Sequence, residues 1–285
     1  MPGAGGLTVG GGISFFNARV GFVCDSVANF EIVLASGEIV NANKEENADL
    51  WQALKGGSNN FGIVTRIDMM TFENGGDLWG GFIYYDNSTA EQHVKAFTHF
   101  VDKIESDPNA SNILFTATSP IFRTCTFQND ERVLMKALEL SADWTERFKH
   151  ESIEGDWVSA TQFHPIPKIF SERSVERGGN VLGLERFSSN LVVFLAVFTW
   201  EDATKDSLFH SAAEQLIGDV VEFSRSLGKD NEWIYLNYAD KDQNPLESYG
   251  PENVAKIRAA AAKYDPDGIF QTLVPGGFKI SGVSQ

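Results

Sequence analysis

Apolar and polar positions recur along this chain at spacings that name most of its elements. Phe30-Glu31-Ile32-Val33-Leu34 and Glu38-Ile39-Val40 flank Ala35-Ser36-Gly37, the pattern of a β-hairpin. Leu50, Trp51 and Leu54 share one face of a short helix over Glu45 to Leu54, which Asn47 can cap and Gly56-Gly57 ends. Ile63 to Phe72 sets Val64, Met70 and Phe72 against Arg66 and Asp68, a partial alternation that predicts a strand.

The texture changes after Gly80. Gly81 to Asp86 predicts a strand, and Ala90 to Glu105 an amphipathic helix with Val94, Phe97, Val101 and Ile104 on one stripe. Ile113 to Thr118 and Phe122 to Phe127 predict paired strands around Ser119-Pro120. Glu131 to Phe148 predicts a helix built on Leu134, Leu138 and Trp144, whereas Lys149 to Ser189 reads as irregular and polar. Leu191 to Trp200 has the unbroken apolar run of a strand buried on both faces. A long helix over Ala203 to Leu227 carries Leu208, Ala212, Leu216, Val220 and Phe223 and stops at Gly228. Trp233 to Tyr238 predicts a strand; Pro251 opens a last helix, packed by Val254, Ile257 and Ala261 and ended by Asp265-Pro266. Strands in small groups with helices between them are an α+β pattern. A strict βαβ alternation is missing from the opening segment, which counts against a Rossmann unit.

The 285 residues carry 42% apolar and 22% charged side chains, values of a globular protein with a sizeable core. A net charge of −16 argues against nucleic acid and anionic membrane as partners. The longest apolar run, Leu191 to Phe198, is far short of a membrane span. Met1-Pro2-Gly3-Ala4-Gly5-Gly6 lacks the basic residue and apolar block of a signal peptide. Asn87-Ser88-Thr89 and Asn109-Ala110-Ser111 fit glycosylation acceptors, a pattern common by chance, so the compartment stays open. Cys24 and Cys125 are too few for a disulfide framework or a structural zinc site and read as two buried thiols. His93, His99, His150, His164 and His210 are scattered without metal-ligand spacing and read as surface or interface residues.

Two glycine-rich segments carry the candidate chemistry. Gly6-Leu7-Thr8-Val9-Gly10-Gly11-Gly12-Ile13-Ser14 could cradle a pyrophosphate on bare backbone amides, or simply turn the chain. Gly56-Gly57-Ser58-Asn59-Asn60-Phe61-Gly62-Ile63-Val64-Thr65 is a similar exposed-backbone loop, or a plain helix-to-strand connection. These segments occur in one order with Gly21-Phe22-Val23-Cys24-Asp25, the hairpin, and Asp49-Leu50-Trp51-Gln52-Ala53-Leu54-Lys55. Arg177-Gly178-Gly179-Asn180-Val181-Leu182-Gly183-Leu184 follows in the middle of the chain. The tail adds Tyr235-Leu236-Asn237-Tyr238-Ala239-Asp240, Tyr249-Gly250, Asn253 and Lys263-Tyr264-Asp265-Pro266 with Phe270.

In that ordered combination the whole chain resembles FAD-linked oxidases with a p-cresol-methylhydroxylase-type FAD-binding domain. It is most similar to the fungal, berberine-bridge-enzyme-like branch. The resemblance implies an FAD-dependent oxidoreductase that takes a hydride from an alcohol or amine carbon of a small metabolite or sugar, with molecular oxygen as acceptor in the family's manner. It implies the second part of an FAD-binding domain at 1–75, a substrate domain with a helix-covered antiparallel sheet at 76–240, and a C-terminal segment at 241–285 returning to the FAD lobe. Family members begin with another FAD subdomain bearing an Arg-Gly-Gly-His-like loop, and nothing like it precedes Gly6, so the chain reads as the latter part of such an enzyme.

The resemblance also assigns residues. Gly10, Gly11, Gly12 and Ile13 would pass near the pyrophosphate or ring, and Asn60, Gly62, Ile63 and Val64 would line the adenine or pyrophosphate end. Tyr235 is the candidate base, with Asn237 beside it on the flavin or ribityl chain; the plainer reading makes Tyr235 a packing residue. Both would face one side of a strand. Phe194, Ala196 and Phe198 could floor the substrate pocket or fill the core. Two rivals stand beside the oxidase: a non-catalytic remnant that binds a small molecule or protein, and a nicotinamide-dependent dehydrogenase, which the missing Gly-x-Gly-x-x-Gly turn disfavours.

Overall fold

The computed structural model of the chain describes residues 3–73, 78–81, 83, 85, 87–116, 122–150, 157–200 and 202–284. Short helices Ala4–Val9 (α1) and Asn17–Val20 (α2) precede strands Val27–Val33 (β1) and Ile39–Asn43 (β2). Helix Ala48–Leu54 (α3) and strand Ile63–Met69 (β3) follow. The three strands form an antiparallel sheet in the order β2-β1-β3. The hairpin forms as expected, with Gly37 in the left-handed conformation that its turn requires. Phe30 and Ile32 project from β1 into a fully buried core with Leu50, Leu54 and Phe61.

Helix α3 starts three residues later than the pattern predicts. Asn47 stands at its N-terminus in a left-handed conformation, but its side chain does not cap the helix. The amide donates to the Asn41 carbonyl at 2.8 Å and the carbonyl oxygen accepts from the Tyr264 hydroxyl at 3.1 Å.

The second sheet contains Leu114–Thr116 (β4), Phe122–Gln128 (β5), Trp157–Ile166 (β6), Leu191–Trp200 (β7) and Asp230–Asn231 (β8), in the order β4-β6-β7-β5-β8. Every neighbouring pair is antiparallel. β4 and β5 are therefore not partners, contrary to expectation: the two ten-residue strands β6 and β7 lie between them, offering a longer ladder. Helices Ala90–Lys103 (α4), Glu131–His150 (α5) and Asp206–Ser226 (α7) cover one face, burying Cys125, Phe127, Phe163, Phe194, Ala196 and Phe198. The fold class is α+β, as expected.

Strand β6 and helix Ile169–Glu176 (α6) occupy a stretch that reads as irregular in the sequence. The expected strand over Gly81 to Asp86 falls partly outside the described residues, and the turn at Ser119-Pro120 lies wholly outside them. Trp233 to Tyr238 is not a strand: the chain is extended at Tyr235 and then closes into a 3-10 turn over Leu236–Tyr238. Helix Pro251–Tyr264 (α8) begins on its proline and packs on α3, where Lys263 Nζ meets Asp49 Oδ2 at 2.6 Å. After it, Asp265 accepts from the amides of Ile269 and Phe270, both at 2.8 Å, and so starts helix Ile269–Thr272 (α9).

Candidate functional site

The two glycine segments meet. Helix α1 delivers Val9, whose carbonyl accepts from the amides of Gly56 at 3.0 Å and Ser58 at 3.2 Å. Beyond Val9 the chain turns through Gly11 at φ 107° and Gly12 at φ 88°, where L-residues with side chains are strained. The backbone is not bare, however. Gly10 N–H donates to Gly6 O, Gly11 N–H to Thr8 O, and Ser14 N–H to Asn17 Oδ1. Most of the amides expected to face a pyrophosphate are thus spent inside the chain, because α1 continues into the turn.

The amide of Ile13 is spent on the candidate base itself. It donates to Tyr235 Oη at 2.9 Å, and Asn237 Nδ2 donates to the same oxygen at 3.0 Å and to Leu7 O at 3.2 Å. A β-carbon on Gly10 would collide with the Asn237 carboxamide. Tyr235, Asn237, Gly10, Gly11, Gly12 and Ile13 therefore form one junction across more than two hundred residues of sequence. The shared side of Tyr235 and Asn237 comes from the 3-10 turn rather than from strand alternation. Tyr235 is 1% exposed, and burial raises its phenol well above the usual value despite the two donors on its oxygen.

The other assigned residues do different work. Asn60 Nδ2 donates to Gly57 O at 2.7 Å and Phe278 O at 3.0 Å, while Oδ1 accepts from Ile280 N–H at 2.9 Å. Its side chain is wholly occupied by the loop and the C-terminal tail. Gly62 lies flush against Val33 O and Ile32, Val64 pairs with Ile32 in the sheet, and the Ile63 side chain is exposed. Phe194, Ala196 and Phe198 point into the helix-covered core, so they cannot floor a pocket at Tyr235.

The opposite face of that sheet turns toward Tyr235. Ala160, Leu195 and Val197 pack there with Tyr238, whose ring meets Tyr235 edge-on at 4.8 Å. His164 projects from the same face of β6 beside Tyr238, its Nε2 lying 3.4 Å from the Tyr238 hydroxyl and 3.3 Å from Gln162 Oε1. Nδ1 is buried with no hydrogen-bond partner among the described residues. Burial pushes the imidazole down to about 4, so it is neutral at neutral pH. Register places Val193 between His164 and Thr126, and Thr126 Oγ1 is likewise buried without a partner. His164, expected at the surface or an interface, is instead buried, because a stretch that reads as irregular folds into β6.

Behind the glycine junction lies a second polar cluster. Asp25 is fully buried and accepts from Phe22 N–H at 2.7 Å, Ser174 Oγ at 2.5 Å and Asn180 Nδ2 at 3.0 Å. Lys55 is also fully buried; its Nζ lies 3.3 Å from the Trp51 ring centroid and has no hydrogen-bond partner among the described residues. Burial pulls this ammonium down to about 8, opposed by Cys24 and Asp25. Among the described residues no group of His, Cys, Asp and Glu could hold a metal ion, and no helix is long and apolar enough to cross a membrane.

No family profile matches the chain. The FAD-dependent monooxygenase sdcF of Emericella nidulans is 36% identical over an alignment covering 98% of this chain and 70% of that protein. The chain belongs to this family of FAD-dependent oxidoreductases. The FAD-dependent monooxygenase drtC of Aspergillus calidoustus is 34% identical over 99% of the chain and 64% of its own length. The chain thus spans about two thirds of these FAD-dependent relatives. Their alignments run over 335 and 338 positions against 285 residues here, so the relatives carry internal segments that this chain lacks.

The fold is that of FAD-linked oxidases. The chain superposes with a TM-score of 0.67 on a glucooligosaccharide oxidase of Acremonium strictum bearing a 6-S-cysteinyl, 8α-N1-histidyl FAD, at 17% identity over 94% of this chain and 70% of that one. A 6-hydroxy-D-nicotine oxidase of Arthrobacter nicotinovorans gives 0.66 at 16% identity, over 94% and 70%. In the junction, glycine at position 10 makes room for the Asn237 carboxamide, and polar groups from both ends of the chain bond one another.

Proposed function

We propose that this chain carries the glycine-turn side of an FAD site and the substrate-binding sheet of a berberine-bridge-enzyme-like oxidoreductase. Its substrate would be a small metabolite or sugar oxidised at an alcohol or amine carbon, with molecular oxygen as electron acceptor. The observation that carries this reading is the Tyr235–Asn237–Ile13 junction, found in a chain whose relatives are FAD-dependent. Residues 1–75 would belong to the FAD lobe, 76–240 to the substrate domain, and 241–285 to a segment returning to the FAD lobe. A core that residues 246–283 share with residues 18–61 supports the return of the tail to that lobe, and residues 166–193 and 233–236 of the middle segment pack into the same core.

Bound FAD would supply the hydride acceptor. Gly10, Gly11, Gly12 and Ile13 would hold it with Asn237, through the turn's contour more than through free amides. Asn60, Gly62, Ile63 and Val64 would serve the adenine end by keeping their loop and strand in place. Tyr235 remains the assigned catalytic residue, but burial keeps its proton at neutral pH, so it would orient the reacting oxygen or nitrogen by hydrogen bonding. The proton would pass to Nδ1 of His164, neutral and unpartnered on the facing sheet. Buried apolar walls from Leu195 and Val197 would exclude water.

Purified protein should show flavin absorption, or gain it and quench flavin fluorescence when FAD is added. A colourless preparation indifferent to FAD would favour the alternative of a non-catalytic binding domain. The relatives' monooxygenase names favour a second reading, in which one oxygen atom enters the product. Labelled dioxygen separates the two, since the oxidase reading leaves the product unlabelled and yields hydrogen peroxide.

A further inference from the structure

The segment Asn180 to Gly183 packs against both glycine turns and accepts a hydrogen bond from Trp233. A β-carbon on Gly56 would lie 2.7 Å from Leu182 Cδ2, and one on Gly11 would lie 3.1 Å from Leu182 Cδ1. The Leu182 side chain is therefore wedged against both glycine turns at once, fully buried. Its carbonyl accepts from Trp233 Nε1 at 2.8 Å. Trp233 stacks on Tyr235, with centroids 5.8 Å apart and planes 26° apart. Tyr235 Oη in turn takes the Ile13 amide, two residues beyond Gly11. The contacts close a ring: Leu182, Gly11, Ile13, Tyr235, Trp233 and back to Leu182.

The ring is anchored from behind. Leu182 N–H donates to Asn180 Oδ1 at 3.0 Å, Asn180 Nδ2 to Asp25 Oδ1 at 3.0 Å, and Val181 N–H to Lys55 O at 3.1 Å. A wedge fixed at its base, filling space that two glycines leave open, sets how far apart those turns stand. Through Trp233 it also sets where the tyrosine oxygen sits.

We propose that Leu182 is a positioning residue of the site: it fixes the spacing of the two glycine turns and, through Trp233, holds the Tyr235 hydroxyl on the Ile13 amide. The proposal rests on the reading of that junction as the flavin side of the site. It predicts that the Ile13 amide reports on Leu182 and Trp233 although neither side chain bonds to it.

Hydrogen exchange read residue by residue on the full chain tests it. Leu182→Ala should speed exchange at Ile13 at least tenfold, with Leu182→Met restoring the slow rate and β7 amides unchanged. Trp233→Phe keeps the stacked ring but loses the N–H, and should speed Ile13 in the same direction; it carries the test should Leu182→Ala fail to fold. Tyr235→Phe removes the acceptor and sets the upper limit. Ile13 exchange unaltered in Trp233→Phe, or accelerated only alongside β7, would overturn the proposal. FAD affinity, measured separately by fluorescence quenching, distinguishes the two readings. Responsive Ile13 exchange in a chain that ignores FAD upholds the wedge and removes the flavin site.

Discussion

Lys55 shows what a single residue can cost. Its ammonium is fully buried, faces the Trp51 ring, and is held near 8 by burial against an ordinary 10.5. The unfolded chain binds the proton more tightly, so the penalty from Lys55 is full below pH 8 and fades as pH climbs from about 8 to 10.5. Lys55→Met removes the charge, loses a cation–π contact, and should stabilise the chain by on the order of 2 kcal/mol at pH 7. Urea midpoints measured across that pH window should also flatten in the variant. A lysine-bearing chain without a rise in midpoint over this range would show that its ammonium is better solvated than the structure implies. His164 titrates in the opposite regime: burial holds it neutral down to about 4, so flavin reduction should lose no His164-dependent activity between pH 5 and 8. His164→Phe, which preserves bulk but no nitrogen, should slow that reduction at least tenfold.

At the scale of elements, the structure distinguishes glycines that resemble one another in the sequence. Gly183 and Gly37 both have positive φ, 74° and 85°. A β-carbon on Gly183 would strike the Tyr249 carbonyl, whereas one on Gly37 would meet nothing. Gly183→Ala should therefore cost more than 2 kcal/mol and Gly37→Ala about 1 kcal/mol, as read from urea midpoints. Asn60 ties the loop before β3 to the tail through two side-chain hydrogen bonds, one to Phe278 O and one from Ile280 N–H. Asn60→Ala should free residues after Gly276 to carboxypeptidase at a rate the wild-type chain resists. Most elements were legible beforehand where one face was apolar and the other wet: the β1–β2 hairpin, α4, α5, α7 and α8. β6 was not, because Ser159, Thr161 and Gln162 look like loop residues until β7 supplies the apolar partner. The partnership of β4 with β5 was misread because sequence adjacency carries no information about a later strand inserting between them.

For the whole molecule, the junction could be named from sequence but not its geometry. The resemblance brought Tyr235 and Asn237 to the glycine turn, and the structure unites them; it could not foresee that α1 would consume the turn's amides. The anionic balance has a global consequence. The ion pairs among the described residues are mostly solvent-exposed and contribute little each, while a net charge of −16 repels itself throughout the fold. Thermal midpoints should rise on going from low salt to about 0.5 M sodium chloride, where charges a Debye length apart are screened. A midpoint that falls would mean that particular pairs, such as Arg123 with Asp242, outweigh the general repulsion.

The two cysteines give this chain its own pair of clocks. Cys24 sits in the interior that backs the three-stranded sheet, Cys125 in the interior beneath the helices, and neither is bonded to the other. Both sulfurs are shut away, and burial pushes Cys125 up to about 12 and Cys24 well above an ordinary thiol, so the native fold should leave alkylating reagents nothing to attack. Each half then betrays its opening by a separate tag, and peptide mapping of timed samples would say which half lets go first.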